Sequence, residues 1–209
     1  MRIIDCQQGS REWIEARLGI PTASCFGRLL TPGRLELSAQ RRKYMAELLV
    51  EWATGEPVED FGGGEWVERG RLMEPRAREY YSALTGDDVT TVGMCMRDGV
   101  GASPDGLTDA ATVEIKCPSP TTHLLWLAGD ELPREHRAQV QGQIWVTGRP
   151  WGDFLSYHPD FPPLLIRSEP DGRFQAALDD ALPVFLGEIA AAKERLFDLG
   201  VHPPGRDDL

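Results

Sequence analysis

Three side chains near the middle of the chain have the types and spacing to do chemistry on a phosphodiester. Asp105 sits in Ser103-Pro-Asp-Gly-Leu107, Glu114 follows nine positions later, and Lys116 two beyond that, within Val113-Glu-Ile-Lys-Cys-Pro118. Two carboxylates can hold a hard divalent cation through oxygen ligands. Side chains on a strand alternate with period 2, so Glu114 and Lys116 share one face while Val113 and Ile115 take the other. Pro104-Asp-Gly106 is a turn signal that sets Asp105 at a strand end. A cation held there polarises a phosphodiester and lowers the pKa of a bound water. The ammonium can orient that water, help deprotonate it, or offset charge developing on the phosphate. Lysine usage points the same way. Of 22 basic residues only Lys43, Lys116 and Lys193 are lysines, and arginine does not replace a compact ammonium of tunable pKa. The plain alternative is a hairpin with a solvated Glu-x-Lys face, and these residues alone leave the two readings level.

Three flanking groups extend the constellation. Glu74, in Arg69-Gly-Arg-Leu-Met-Glu-Pro-Arg-Ala77, is a helix-borne carboxylate that could reach a second cation directly or through water; read alone it is a surface residue ahead of Pro75. Gln139 and Gln143 are four apart and share a helix face, with Gln141 on the other. They could bind a phosphate or place a water, or they could belong to an amphipathic helix that buries Val140, Ile144 and Trp145. Arg17 and Ser24 bracket a short turn between two expected helices. Arginine reads phosphate bidentately, and a helix start near Ser24 adds backbone donors and a favourable dipole, which suits a terminal phosphate.

The elements that must position these residues follow from patterning. Ser10 caps a helix over Arg11–Leu18 that Gly19 ends, and a second helix runs from about Thr22–Ser24 to Leu30. Ser38 caps a longer one over Ala39–Ala53, with Tyr44, Leu48 and Trp52 on one stripe. Glu65 to Leu84 reads as a helix bent or restarted at Pro75. Strands are expected over Asp88–Met96, near Gly101–Ser103, and over Thr112–Lys116, then at Gly152–Tyr157 and Leu164–Ser168. Helices are expected over Thr121–Ala128 and Arg134–Val146. A last helix covers Gly172–Asp198, with a break expected at Pro183. This order suits an α/β (α+β) fold: a central mixed β-sheet with helices on both faces. One domain over 1–209 is expected, helical to about residue 86, sheet core over 87–169, and a C-terminal helix over 172–198.

Composition bounds the reading. Hydrophobic residues at 41% and charged residues at 26% are those of a globular protein. No apolar run is long enough for a transmembrane helix, and the N-terminus lacks the apolar core of a signal peptide, so the cytoplasm is expected. Cys6, Cys25, Cys95 and Cys117 are scattered, which argues for reduced thiols rather than a zinc site or disulfide framework. The four histidines show no ligand spacing. A net charge of −11 argues against a protein that coats nucleic acid nonspecifically, though a basic groove can sit inside an acidic shell.

Ordered blocks along the chain resemble the phage lambda-type alkaline exonucleases, the YqaJ-type viral recombinase nucleases of the PD-(D/E)-x-K superfamily. They are Gln8-Gly-Ser-Arg-Glu-Trp13, Arg17-Leu-Gly19, Thr22-Ala-Ser24, Arg69-Gly70 to Glu74, Ser103-Pro-Asp-Gly-Leu107, Glu114-Ile-Lys-Cys-Pro118, Ala138-Gln-Val-Gln141 and Trp145-Val-Thr147. The resemblance implies a restriction-endonuclease-like core. It implies Asp105, Glu114 and the Ile115 carbonyl as metal ligands, with Glu74 serving a second Mg²⁺; Mn²⁺ could substitute. It implies Lys116 as the residue that activates water, with Gln139 as its helper. Arg17, Ser24 and Ser103 become a 5′-phosphate pocket, and Val67 a wedge between strands. The implied activity is 5′→3′ digestion of one strand of linear double-stranded DNA, leaving 3′ overhangs for a single-strand annealing protein. A homotrimer ring in a bacterial host cytoplasm, phage or prophage encoded, is implied as well. A restriction- or repair-type endonuclease and a catalytically silent DNA-end-binding adaptor stay open as alternatives.

Overall fold

The computed structural model describes residues 1–58 and 65–205, with side chains left aside at 65–68 and 71. Elements run β1 (Arg2–Ile4), α1 (Arg11–Arg17), a 3₁₀ helix (Ala23–Arg28), α2 (Arg41–Thr54), α3 (Glu65–Thr85), β2 (Met94–Arg97) and β3 (Val100–Ala102). They continue with β4 (Gly106–Leu107), β5 (Ala111–Lys116), α4 (Pro120–Gly129), α5 (Arg134–Thr147), β6 (Trp151–Ser156), β7 (Leu164–Ser168) and α6 (Gly172–Asp198). Capping chemistry sets several ends. The Ser10 hydroxyl accepts from Trp13 N, and Asp171 accepts from the amides of Arg173 and Phe174, satisfying donors that a helix start leaves open.

The strands form two hydrogen-bonded sheets. The first is antiparallel with order β1-β2-β3, and the second has order β4-β5-β6-β7. In the second, β5 and β6 run parallel and the outer pairs antiparallel. Parallel neighbours need a crossover, and here it carries α4 and α5. That crossover lays α5 on one face of the sheet, where Val140 and Ile144 pack against Phe154. The opposite face takes α3, whose Ala77 and Tyr81 pack against Val113, Ile115 and Leu155. Alternation along β5 therefore sends Val113 and Ile115 toward α3 and Glu114 toward α5. A larger core joins the 3₁₀ helix, α2, α6, β2 and β3 through residues such as Phe26, Leu48, Val100 and Phe185. None of the described helices is long and apolar enough to cross a membrane.

The α+β architecture, a mixed sheet with helices on both faces, is as the sequence indicates, but several elements differ. Of the expected Asp88–Met96 strand only Met94–Met96 joins a ladder, which runs on to Arg97; upstream, Thr90 makes a single bridge to Leu107. The element after Thr22 is a six-residue 3₁₀ helix rather than an α-helix reaching Leu30. Pro75 and Pro183 do not interrupt α3 and α6. In α6 the buried Leu178, Ala181, Leu182, Phe185 and Ile189 keep one continuous stripe against the core, while Pro183 points to solvent. β1 and β4 carry no usable pattern, having three and two residues.

Candidate active site

Glu114 is the centre of the site. Its carboxylate is 1% exposed, and three side chains reach it. Lys116 pairs with Oε1, Gln139 Nε2 donates to Oε1 at 2.7 Å, and Gln143 Nε2 donates to Oε2 at 2.5 Å. The expected pairing of Glu114 and Lys116 on one strand face thus holds, as does the split of the α5 glutamines. Gln141 turns the other way, donating to the Glu169 carbonyl and accepting from Asp171 N.

Asp105 arrives from the turn before β4, and its Oδ2 accepts from Ile115 N at 2.6 Å. Glu74, on α3, pairs with Arg78 one turn along, and the same guanidinium donates to the Asp105 carbonyl at 3.0 Å. Glu114 and Glu74 both lie close enough to act on Asp105. Burial, then Glu114, pushes the Asp105 carboxyl well above its ordinary range, with Glu74 adding and Lys116 opposing. At Lys116 burial alone would favour the neutral amine, but Glu114, Asp105 and Glu74 outweigh it and raise its pKa. Among the described residues no three His, Cys, Asp or Glu side chains already converge as a ready-made metal cluster; Glu74 is turned to Arg78 and Glu114 to Lys116. The donor chemistry nevertheless fits a hard cation. Neighbouring carboxylates beside a backbone carbonyl at Ile115 are the oxygen set such ions take.

The second part of the site joins the first through the chain itself, since Ser103 lies two residues before Asp105. Trp13 Nε1 donates to Ser103 Oγ at 3.0 Å and to the Gly93 carbonyl at 3.1 Å. Arg17 donates to Ser103 Oγ at 3.3 Å and lies over the Trp13 ring, 4.3 Å from its centre. Ser24 is exposed and its hydroxyl pairs with Thr22 Oγ1 at 3.1 Å. Arg17 and Ser103 are therefore in contact, while Ser24 stands on the neighbouring 3₁₀ helix. The dipole expected there is smaller than an α-helix would give, because the element is one short 3₁₀ stretch.

A scan against protein families matches residues 12–150 to the YqaJ-like viral recombinase domain. The chain belongs to the YqaJ-like viral recombinase family. It is similar to the crystal structure of LHK-Exo, an alkaline exonuclease from Laribacter hongkongensis, with 36% identity and a TM-score of 0.80, covering 91% of this chain and 98% of that one. LHK-Exo in complex with dAMP matches to the same extent. A phage-related exonuclease from Haemophilus somnus 129PT, at 11% identity and a TM-score of 0.66 over 85% of this chain and 96% of that one, shares the fold. No curated protein matches. As a YqaJ-family member with an alkaline exonuclease relative, the chain is a DNA nuclease of recombination, in a family whose chemistry uses divalent metal.

Three contributors in this YqaJ-family site escape sequence reasoning. Gln8 Nε2 donates to the Val92 and Pro104 carbonyls at 2.9 and 2.8 Å, tying down the turn that carries Asp105. Arg78 lies one residue beyond the segment that carries Glu74, yet it links α3 to that turn. Trp13 reads as one member of an N-terminal block, yet it organises Ser103 and Arg17. Their contacts to the turn of Ser103 and Asp105 span long stretches of sequence, so no local spacing reveals them. The side chain of Val67, the expected wedge, lies outside the described residues. The cysteines are free thiols, as expected.

Proposed function

We propose that the protein is a Mg²⁺-dependent 5′→3′ exonuclease that degrades one strand of linear double-stranded DNA. One observation carries the reading: Asp105, Glu114, Lys116 and Gln139 converge at one end of β5, and the Arg17–Ser103 contact is built onto the same turn as Asp105. Asp105, Glu114 and the Ile115 carbonyl would hold a first cation, and Glu74, released from Arg78, a second, directly or through water. Bound there, Mg²⁺ (or Mn²⁺) supplies Lewis acidity and a water of lowered pKa. Lys116, kept protonated by its carboxylate neighbours, orients the attacking water and balances charge on the phosphate. Gln139 assists from α5. Arg17 and Ser103, with Ser24 at the rim, grip the 5′-phosphate. The dAMP bound by LHK-Exo is a nucleotide with one phosphate, the size of product this reading calls for.

The net charge of −11 fits a homotrimer ring with a basic inner face and an acidic exterior, enclosing its DNA rather than coating it. The 3′ overhang left behind is the substrate of a single-strand annealing protein, the expected partner in the host cytoplasm. Linear duplex labelled at either end, with and without 5′-phosphate, tests the reading under Mg²⁺. Loss of label from 5′ ends first, faster when phosphorylated, is the expected result. Cleavage of closed circular DNA at an equal rate would point to an endonuclease, and end binding without cutting under Mg²⁺ or Mn²⁺ to an adaptor.

A further inference from the structure

We propose that Gln143 is a positioning residue that fixes the rotation of the Glu114 carboxylate and thereby sets the site's affinity for its cation. The proposal rests on the metal-dependent reading above. Gln139 and Gln143 stand one helical turn apart on α5 and grip different oxygens of Glu114. Lys116 and Gln139 share Oε1; among the described residues Gln143 is what holds Oε2. The last torsion of a glutamate side chain is broad and only roughly two-fold. A carboxylate held at one oxygen can turn about that axis; held at both, it has one plane.

The environment of Gln143 separates this role from ordinary core packing. The side chain is 1% exposed, and its Oε1 makes no hydrogen bond to the described protein atoms. A buried polar group left unpaired costs about 1–3 kcal/mol. Its immediate helix neighbours, Gly142 and Ile144, are buried too, and an apolar residue of similar volume would fill the space without that cost. Among the described residues the one polar contact the amide makes is with Glu114.

Calorimetric titration of the full chain with Mn²⁺ tests this in Gln143→Met, which keeps length and volume, and in Gln143→Leu, which removes the donor with a different shape. The melting temperature without metal is recorded for each. Both variants are expected to bind Mn²⁺ about tenfold or more weakly, the size of effect found when a group behind a metal ligand is lost. Their metal-free melting temperatures should stay within a few degrees of wild type, because the unpaired carbonyl leaves with the amide while Glu114 Oε2 loses its donor, two costs of similar size and opposite sign. The Mg²⁺ concentration for half-maximal cleavage should rise in parallel. Mn²⁺ affinity within about twofold of wild type, in whichever variant folds, overturns the proposal while leaving the nuclease reading intact. A wild-type protein that takes up no Mn²⁺ overturns the metal reading, and the proposal falls with it.

Discussion

Lys116 is held in its charged form by the acids around it, and that decides which tasks it can perform. Its pKa is raised because Glu114, Asp105 and Glu74 outweigh burial, so under the proposed function an ammonium rather than a free amine would face the phosphate. Lys116→Ala should lower cleavage by at least about 10²-fold, the scale of one positioned polar group, while DNA binding in a shift assay stays within a few-fold. Lys116→Arg should not rescue it, since a planar fork cannot sit where a point charge pairs with Glu114 Oε1. Arg17→Ala should reduce the preference for 5′-phosphorylated over unphosphorylated ends by about tenfold, in line with one charge-assisted hydrogen bond; unchanged preference in a competition digest would refute the pocket. These residues are legible in the sequence because their logic is local. Glu114 and Lys116 follow from the period of a strand, and the two glutamines from that of a helix. Gln8, Trp13 and Arg78 are illegible for the opposite reason: the contacts that tie them to the turn of Ser103 and Asp105 span between 27 and 96 positions.

At the scale of elements, the contact between α5 and the 3₁₀ helix brings the glutamines and the Thr22–Ser24 segment onto one scaffold. Gly142 permits it. A Cβ there would stand 2.6 Å from Phe26 Cδ2 and 3.0 Å from Ala23 Cβ, distances that buried atoms do not tolerate. Gly142→Ala should therefore destabilise the fold by about 1–3 kcal/mol despite alanine's better helix propensity, as overpacked cores do. Thermal denaturation checks this, and an unchanged or raised melting temperature would show that α5 can slide. Helices α4, α5 and α6 lie within a residue or two of where the sequence places them. The errors fall where local rules meet tertiary packing. Pro183 should break α6 by its own chemistry, yet the apolar stripe from Leu178 to Ile189 continues across it. Asp88–Val92 has strand-like residues but makes only the Thr90 bridge to a neighbour.

On the scale of the molecule, the sheet is a partition. One face carries the candidate active site, with Glu114 and α5; the other is braced by α3, where Tyr81 and Arg167 both bind the buried Asp153. The ring proposal belongs to this scale: light scattering after size exclusion should give the mass of three 23.2 kDa chains, and a monomer at working concentration would refute it. Patterning legibly gives the layered architecture, whereas how copies assemble depends on surfaces that no periodicity encodes. The turn holding Ser103 and Asp105 has a consequence of its own. Gln8 and Trp13 clamp it at Pro104 and Ser103, so the Arg17–Ser103 contact and Asp105 are rigidly spaced. Under the proposed function the turn is a gauge: it measures out one fixed length of strand per cycle, and loosening Gln8 would blur the product size before it slowed the reaction.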